Sequence, residues 1–221
     1  MITSNIISHP DSMLDKRIEE RIISGLATDG WCVIPDFVTA DFIERLRNDA
    51  IRLWDQGTFR KAGVGQGEVF EIRDDLRSDR IMWLDPVNST GSLRSYLELT
   101  NALRQAINKA LFLGLFEYEG HIAIYPPGSR YGKHLDCFQG DESRTVTAIL
   151  YLNDQWAESD GGQLKIYMGS SGSEQAYQEI YPHAGQLVIF LSSRFVHEVM
   201  PTHRARLSIT GWFKRRGVSG L

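Results

Sequence analysis

Cysteine is scarce in this chain: Cys32 and Cys137 are the only two in 221 residues. Two thiols cannot build a disulfide framework, and with no CxxC pair a thiolate zinc site is excluded. The count suits a reducing compartment, with one Cys32–Cys137 bridge left open should the fold bring the two together. Basic excess is also missing. A formal net charge of −4 gives no basic face for nucleic acid. Long apolar runs are absent, since "ALFLGLF" falls far short of the ~20 residues a membrane helix needs. The opening "MITSNIISHPDSMLDKRIEER" lacks the basic-then-apolar layout of a secretory signal. "GVGQG" at 63–67 has neither the spacing nor the strand–helix setting of a phosphate loop. These absences point to a cytoplasmic protein with no nucleic-acid or membrane partner. With 42% hydrophobic and 24% charged residues, the chain reads as one globular domain.

What is there falls into two halves. From Asp11 to Ala27, Leu14, Ile18, Ile22 and Leu26 recur every fourth residue, the stripe of an amphipathic helix. "WCVIP" after Asp29-Gly30 predicts a short strand. Thr39 is placed to cap a second helix carrying Phe42, Leu46 and Leu53 inward. Residues 56–67 predict a Gly-rich loop, and a third helix is expected from Leu93 to Leu113. After Gly120 the pattern changes to short β-type runs: "HIAIY", "TVTAILYL", "QLKIY", "QLVIFL" and "RLSITGWF". Strands without crossover helices predict an antiparallel jelly roll behind helical support, 1–115 supporting a core at 116–216.

Within the β half, His134 and Asp136 in "YGKHLDCFQGDESRT" stand two apart. On an extended strand they would share a face while Leu135 points away. His197 in "RFVHEVMP", closing the segment after "QLVIFLSS", is the candidate third ligand. Two histidines and a carboxylate with open positions are the donor set of non-haem Fe(II). Nine residues on, Arg206 could clamp a carboxylate bidentately if its strand neighbours the one ending at His197. Alternation does not separate it from Arg204. Tyr151 offers an inward hydroxyl, whereas His121 and His203 have no partner spacing and read as structural or exposed. Taken singly, each residue has an ordinary reading as a surface pair, a satisfied histidine or a packed aromatic. Their joint order within a helix-poor half is what singles them out.

These residues carry a resemblance. From "IAIYPPGSRYGKHLD" through "TVTAILYLN" and "GGQLKIY" to "HEVMPTHRARLSITGWF", the chain resembles the Fe(II)- and 2-oxoglutarate-dependent dioxygenases. Within them it is most similar to the prolyl 4-hydroxylases of the hypoxia-factor type and their bacterial relatives. The resemblance implies a mainly β protein with N-terminal α-helices and a double-stranded β-helix core. It implies iron on His134, Asp136 and His197, and the far carboxylate of 2-oxoglutarate on Arg206 and Tyr151. Tyr125, Thr147 and Leu164 would line the co-substrate pocket. Arg77, Asp79, Tyr131, Arg144 and Trp212 would meet the substrate, with Trp83 behind a mobile lid at 60–80. The implied cofactors are Fe(II), 2-oxoglutarate and O2, with ascorbate as a reductant. The implied reaction is trans-4-hydroxylation of a prolyl residue in an exposed protein loop. A translation GTPase such as elongation factor Tu is the candidate substrate, and oxygen sensing a candidate role. A small-molecule hydroxylase and a silent 2-oxoglutarate or metal sensor are the competing readings. Ligand histidines must be neutral, so metal affinity is expected to fall in acid.

Overall fold

Period-two alternation in four long strands builds two cores on opposite faces of one sheet. The computed structural model describes residues 13–65, 71–137, 143–168 and 176–216. Its helices are α1 (Lys16–Thr28), α2 (Ala40–Asp55) and α3 (Gly91–Leu111). The strands of the first half are β1 (Trp31–Ile34), β2 (Arg60–Lys61) and β3 (Arg80–Trp83). Those of the second are β4 (Leu115–Tyr125), β5 (Tyr131–His134), β6 (Arg144–Tyr151), β7 (Leu164–Tyr167), β8 (Tyr177–Ile180), β9 (Leu187–Leu191), β10 (His197–Val199) and β11 (Arg206–Arg215). Seven strands form one sheet in the order β1-β9-β6-β11-β4-β3-β2, and four form another, β5-β10-β7-β8. All the ladders between these strands are antiparallel. This is a double-stranded β-helix with helices on the outer face of its larger sheet.

The face assignment follows from side-chain alternation. Ile122, Val146, Ala148, Leu150, Leu187, Ile189, Ile209 and Phe213 pack with Ile22, Leu46 and Leu103 of the helices. Ala123, Tyr125, Ile149, Tyr151, Val188 and Phe190 point the other way and meet Leu164, Ile166 and Val199 of the smaller sheet. The second core is the one interrupted by polar groups, and it holds the site.

Several expected boundaries moved for local reasons. Helix α1 starts at Lys16, not Asp11, because the Asp15 carboxylate caps it, accepting from the Arg17 and Ile18 amides at 2.8 and 3.2 Å. Residues 11 and 12 lie outside the described set. Thr39 does cap α2, its hydroxyl accepting from the Phe42 amide at 3.3 Å. Helix α3 stops at Leu111, two residues early, because Phe112 takes a left-handed φ of 54°. The Asn108 amide then brackets both the N–H and C=O of Leu115, turning the chain straight into β4. The segment expected as loop contains β2, whose two charged residues pair with β3 and carry no apolar signal. The first half also contributes β1, β2 and β3, which complete the larger sheet.

Candidate active site

His134, Asp136 and His197 converge, with one possible ligand atom from each lying within 4.8 Å of the others. Strand alternation is not the cause for the first pair. β5 ends at His134 and Asp136 sits in the bend after it, which turns its carboxylate inward and leaves Leu135 exposed. Nor does His197 close the strand after "QLVIFL". It opens β10 in the other sheet, directly opposite His134 in the β5 ladder. Arg206 begins β11 in the larger sheet, so it faces the histidines across the sandwich rather than from a neighbouring strand.

The ring orientations suit a cation. His134 Nδ1 lies 2.8 Å from the Gly132 carbonyl, and His197 Nδ1 lies 3.0 Å from that of Phe195. A carbonyl only accepts, so each Nδ1 carries the hydrogen and each Nε2 keeps its lone pair. Both Nε2 atoms stand 3.6 Å from an Asp136 oxygen. Thr147 donates to the second of these oxygens at 2.7 Å and lies 2.9 Å from the Ser192 hydroxyl, both residues being fully buried. Burial pushes His197 down to about 4, helped by the neighbouring imidazole of His134 against the opposing pull of Asp136. Burial alone would raise the Asp136 carboxyl, but His197, His134 and Thr147 together hold it well below the usual carboxylate range. An ionised carboxylate and a neutral His197 are the states a divalent metal requires, so the cluster could hold one.

Arg206 is 1% exposed, and its Nε donates to the Gly162 carbonyl at 2.8 Å. Its guanidinium carbon lies 5.0 Å from the ring centroids of both Tyr125 and Tyr151. The Tyr151 hydroxyl is buried without a hydrogen-bond partner. A buried cation beside an unsatisfied hydroxyl fits a carboxylate bound between them. Gly162 takes a φ of 65°, and a Cβ there would stand 3.0 Å from Arg206 Cδ, so its backbone seats the arginine stem. The two arginines that alternation could not separate lie in different settings, because β11 starts only at Arg206. Arg204 lies outside the strand, stacked on Trp156 and 3.4 Å from Asp160. Leu164 is fully buried against this pocket.

The residues expected at the entrance divide. Tyr131 stacks on His134 at 3.6 Å between centroids, and the Arg77 guanidinium lies 4.5 Å from the Tyr131 centroid. Asp79 is 1% exposed and grips Arg77 through both oxygens at 2.7 and 3.0 Å, so it anchors Arg77 rather than facing the cleft. Arg144 lies 3.5 Å over the Trp212 ring and donates to Glu119 at 2.8 Å. Residues 66–70 of the expected lid fall outside the described set, while Arg60, Lys61 and Val64 line an outer cleft of about 660 Å³ that reaches Asp136. Cys32 and Cys137 are not joined by a disulfide.

Two residues of the site escaped sequence reasoning. His121 is 2% exposed and lies in the wall of both the cleft and the inner pocket. Its signal was available, since it shares the inward face of β4 with Ala123 and Tyr125. Ser192 had no such signal, because nothing nearby in sequence links it to Thr147.

Residues 120–214 match the 2OG-Fe(II) oxygenase superfamily. The chain is 32% identical over 207 residues to a hypoxia-inducible factor prolyl hydroxylase from Caenorhabditis elegans, covering 89% of this chain and 28% of that protein. It therefore spans well under half of that relative. A crystal structure of a Pseudomonas putida prolyl-4-hydroxylase superposes with a TM-score of 0.80 at 40% identity, covering 90% of this chain and 100% of that one. A Trichoplax adhaerens prolyl hydroxylase, solved in complex with a hypoxia inducible factor oxygen degradation domain peptide, superposes at 0.78 with 25% identity, covering 92% and 95%. Among the described residues no helix is long and apolar enough to cross a membrane.

Proposed function

This chain belongs to the 2OG-Fe(II) oxygenase superfamily, and from that premise we propose that it is a prolyl 4-hydroxylase acting on a protein substrate. The observation that carries the reading is the buried pair of subsites. His134, Asp136 and His197 offer three donors around one point, and Arg206 with the orphan Tyr151 hydroxyl offers a carboxylate seat across the same pocket. His134, Asp136 and His197 would hold Fe(II), and Arg206 and Tyr151 the far carboxylate of 2-oxoglutarate. Tyr125, Thr147 and Leu164 would complete that pocket. When bound, the iron supplies the coupling of 2-oxoglutarate and O2 to C–H hydroxylation, with succinate, CO2 and an alcohol as products.

The protein's own share is to bind, orient and exclude. The two Nδ1–carbonyl bonds lock the imidazoles, and Thr147 fixes the carboxylate. Burial of the cluster keeps bulk water from competing. No side chain is required as a general acid or base. The 60–80 segment would close over a bound peptide, with Arg77, held by Asp79, at its edge and Tyr131, Arg144 and Trp212 forming the far wall.

A trans-4 outcome and elongation factor Tu as the substrate belong to the same reading and rest on family resemblance. One dioxygenase domain built from 1–115 and 116–216 is likewise proposed, as is a cytoplasmic location, which the low cysteine count of the chain suits. The test is to incubate Fe(II)-loaded protein with 2-oxoglutarate and O2, with and without a cytosolic protein extract, while following succinate and protein mass. Extract-dependent succinate with a prolyl peptide heavier by one oxygen atom is the expected result. Stimulation by the small-molecule fraction alone would replace the protein substrate with a metabolite. No succinate from protein that holds iron would remove the enzyme reading.

A further inference from the structure

The two histidines of the metal cluster stand on short, poorly paired strands. β10 has three residues, and β5 lies at the edge of the smaller sheet. β5 meets β10 at two positions, His134 opposite His197 and Tyr131 opposite Val199, and the register slips between them. Gly132 and Lys133 thus face the single residue Glu198, a β-bulge that leaves part of the ladder unmade. The other edge of β5 is joined to the 76–78 segment, the Gly132 amide donating to the Leu76 carbonyl at 2.7 Å. Backbone pairing within the sheet therefore does little to fix the spacing of the two imidazoles.

The outward face of the same sheet carries a second connection. His134, His197 and Ile166 form one row across β5, β10 and β7. One position from each of them, Lys133, Glu198 and Tyr167 point to the opposite face. Lys133 Nζ lies 4.2 Å from the centre of the Tyr167 ring, and the Tyr167 hydroxyl donates to the Glu198 carboxylate. Lys133 thereby reaches from β5 past β10 to β7, and Tyr167 returns the link to β10. Both contacts involve a full charge, which makes them stronger than neutral ones. Tyr167 is 8% exposed, so water screens them only partly. Lys165 makes a counterpart pair, 4.4 Å over Tyr177 and 3.5 Å from Glu179, but that pair joins β7 to β8, and neither strand bears a ligand.

We propose that Lys133, Tyr167 and Glu198 are positioning residues, a three-strand clamp that holds β5 in register with β10 and so sets the spacing of His134 and His197 for the metal. The clamp rests on the reading of His134, Asp136 and His197 as an iron site, and it places part of the iron affinity on the outside of the barrel. None of its three residues lines the inner pocket or the cleft. The sign of one effect separates alignment from electrostatics. A lysine near a cation site repels the cation, so removing its charge tightens binding by Coulomb's law alone. Loss of alignment weakens it.

Fe(II) affinity is measured anaerobically by chelator competition for wild type, Lys133→Met, Lys133→Arg, Tyr167→Phe and Lys165→Met. The temperature is one at which circular dichroism shows every variant folded. The visible spectrum of each Co(II)-loaded protein reports the ligand geometry independently. Expected are affinities about threefold to tenfold weaker in Lys133→Met and Tyr167→Phe, each with an altered Co(II) spectrum. Lys133→Arg keeps a cation over the ring and should bind within about twofold of wild type. Lys165→Met removes the same charge from the same face and should also stay within about twofold. Unchanged or tighter binding in Lys133→Met overturns the clamp, as does wild-type affinity in Tyr167→Phe. Equal weakening in Lys165→Met reduces the effect to general loss of sheet stability and overturns it too. A wild type that binds no Fe(II) removes the iron reading itself and takes the clamp with it, whereas none of the variant results touches that reading.

Discussion

Replacing Thr147 with valine isolates one hydrogen bond beneath the metal-binding cluster. The Thr147 hydroxyl donates to Asp136 at 2.7 Å in a fully buried setting, and the carboxylate it serves is held ionised. A hydrogen bond to a charged group contributes ~1.5–3 kcal/mol, which is about tenfold to hundredfold in an equilibrium constant. Groups that orient a metal ligand from behind show the same range, about 10–100-fold in affinity. Fe(II) affinity, measured anaerobically by competition with a chelator, should therefore fall by that factor in Thr147→Val. Valine also strips the Ser192 hydroxyl of its 2.9 Å partner, so metal-free protein should lose ~1–3 kcal/mol of stability. The Thr147→Val/Ser192→Ala double variant removes that second orphan and should regain stability without regaining iron affinity. Thr147→Ser keeps the hydroxyl and should bind iron nearly as wild type does. Iron affinity within about twofold of wild type in Thr147→Val would refute the reasoning. Equal loss in Thr147→Ser would move the cause from hydrogen bonding to packing.

Further outcomes follow from the same geometry. Asp136→Ala should abolish iron binding and turnover together while the fold persists, which metal analysis and circular dichroism would check. Arg206→Lys keeps the charge but loses both the planar fork and the Nε bond to Gly162, so the KM for 2-oxoglutarate should rise by about tenfold or more in a succinate assay. Gly162→Ala forces a side chain into a left-handed φ of 65° against Arg206, and melting should fall by about 5 °C with weakened 2-oxoglutarate binding. Burial pushes the Cys32 thiol up to about 11, so little thiolate exists at neutral pH. Its alkylation by iodoacetamide should be slow at neutral pH and accelerate about tenfold per pH unit toward that value. Fast labelling of Cys32 at neutral pH would show that the thiol is not held in that environment.

The chemistry was written in local sequence because it depends on residue type and short-range order. A neutral imidazole, a carboxylate and a guanidinium can be recognised wherever they occur, and the period-two runs after Gly120 announce strands whose faces can be assigned without coordinates. The Thr39 cap and the stripe through Ile18, Ile22 and Leu26 were legible for the same reason, being interactions between residues a few positions apart. Partnership between distant segments was not legible. That His134 meets His197 across the β5–β10 ladder, that Arg206 faces them from the opposite sheet, and that Ser192 supports Thr147 all depend on strand pairing. β2 was invisible, since two charged residues acquire strand geometry only by pairing with β3. His121 sat in plain view on the inward face of "HIAIY", yet its place in the pocket wall appears only when β11 brings Trp212 beside it. Sequence alone determined which chemistry this chain can hold. Tertiary structure decided which groups share a pocket, because non-local pairing is set by the sum of many weak contacts and not by any one of the residues that use it.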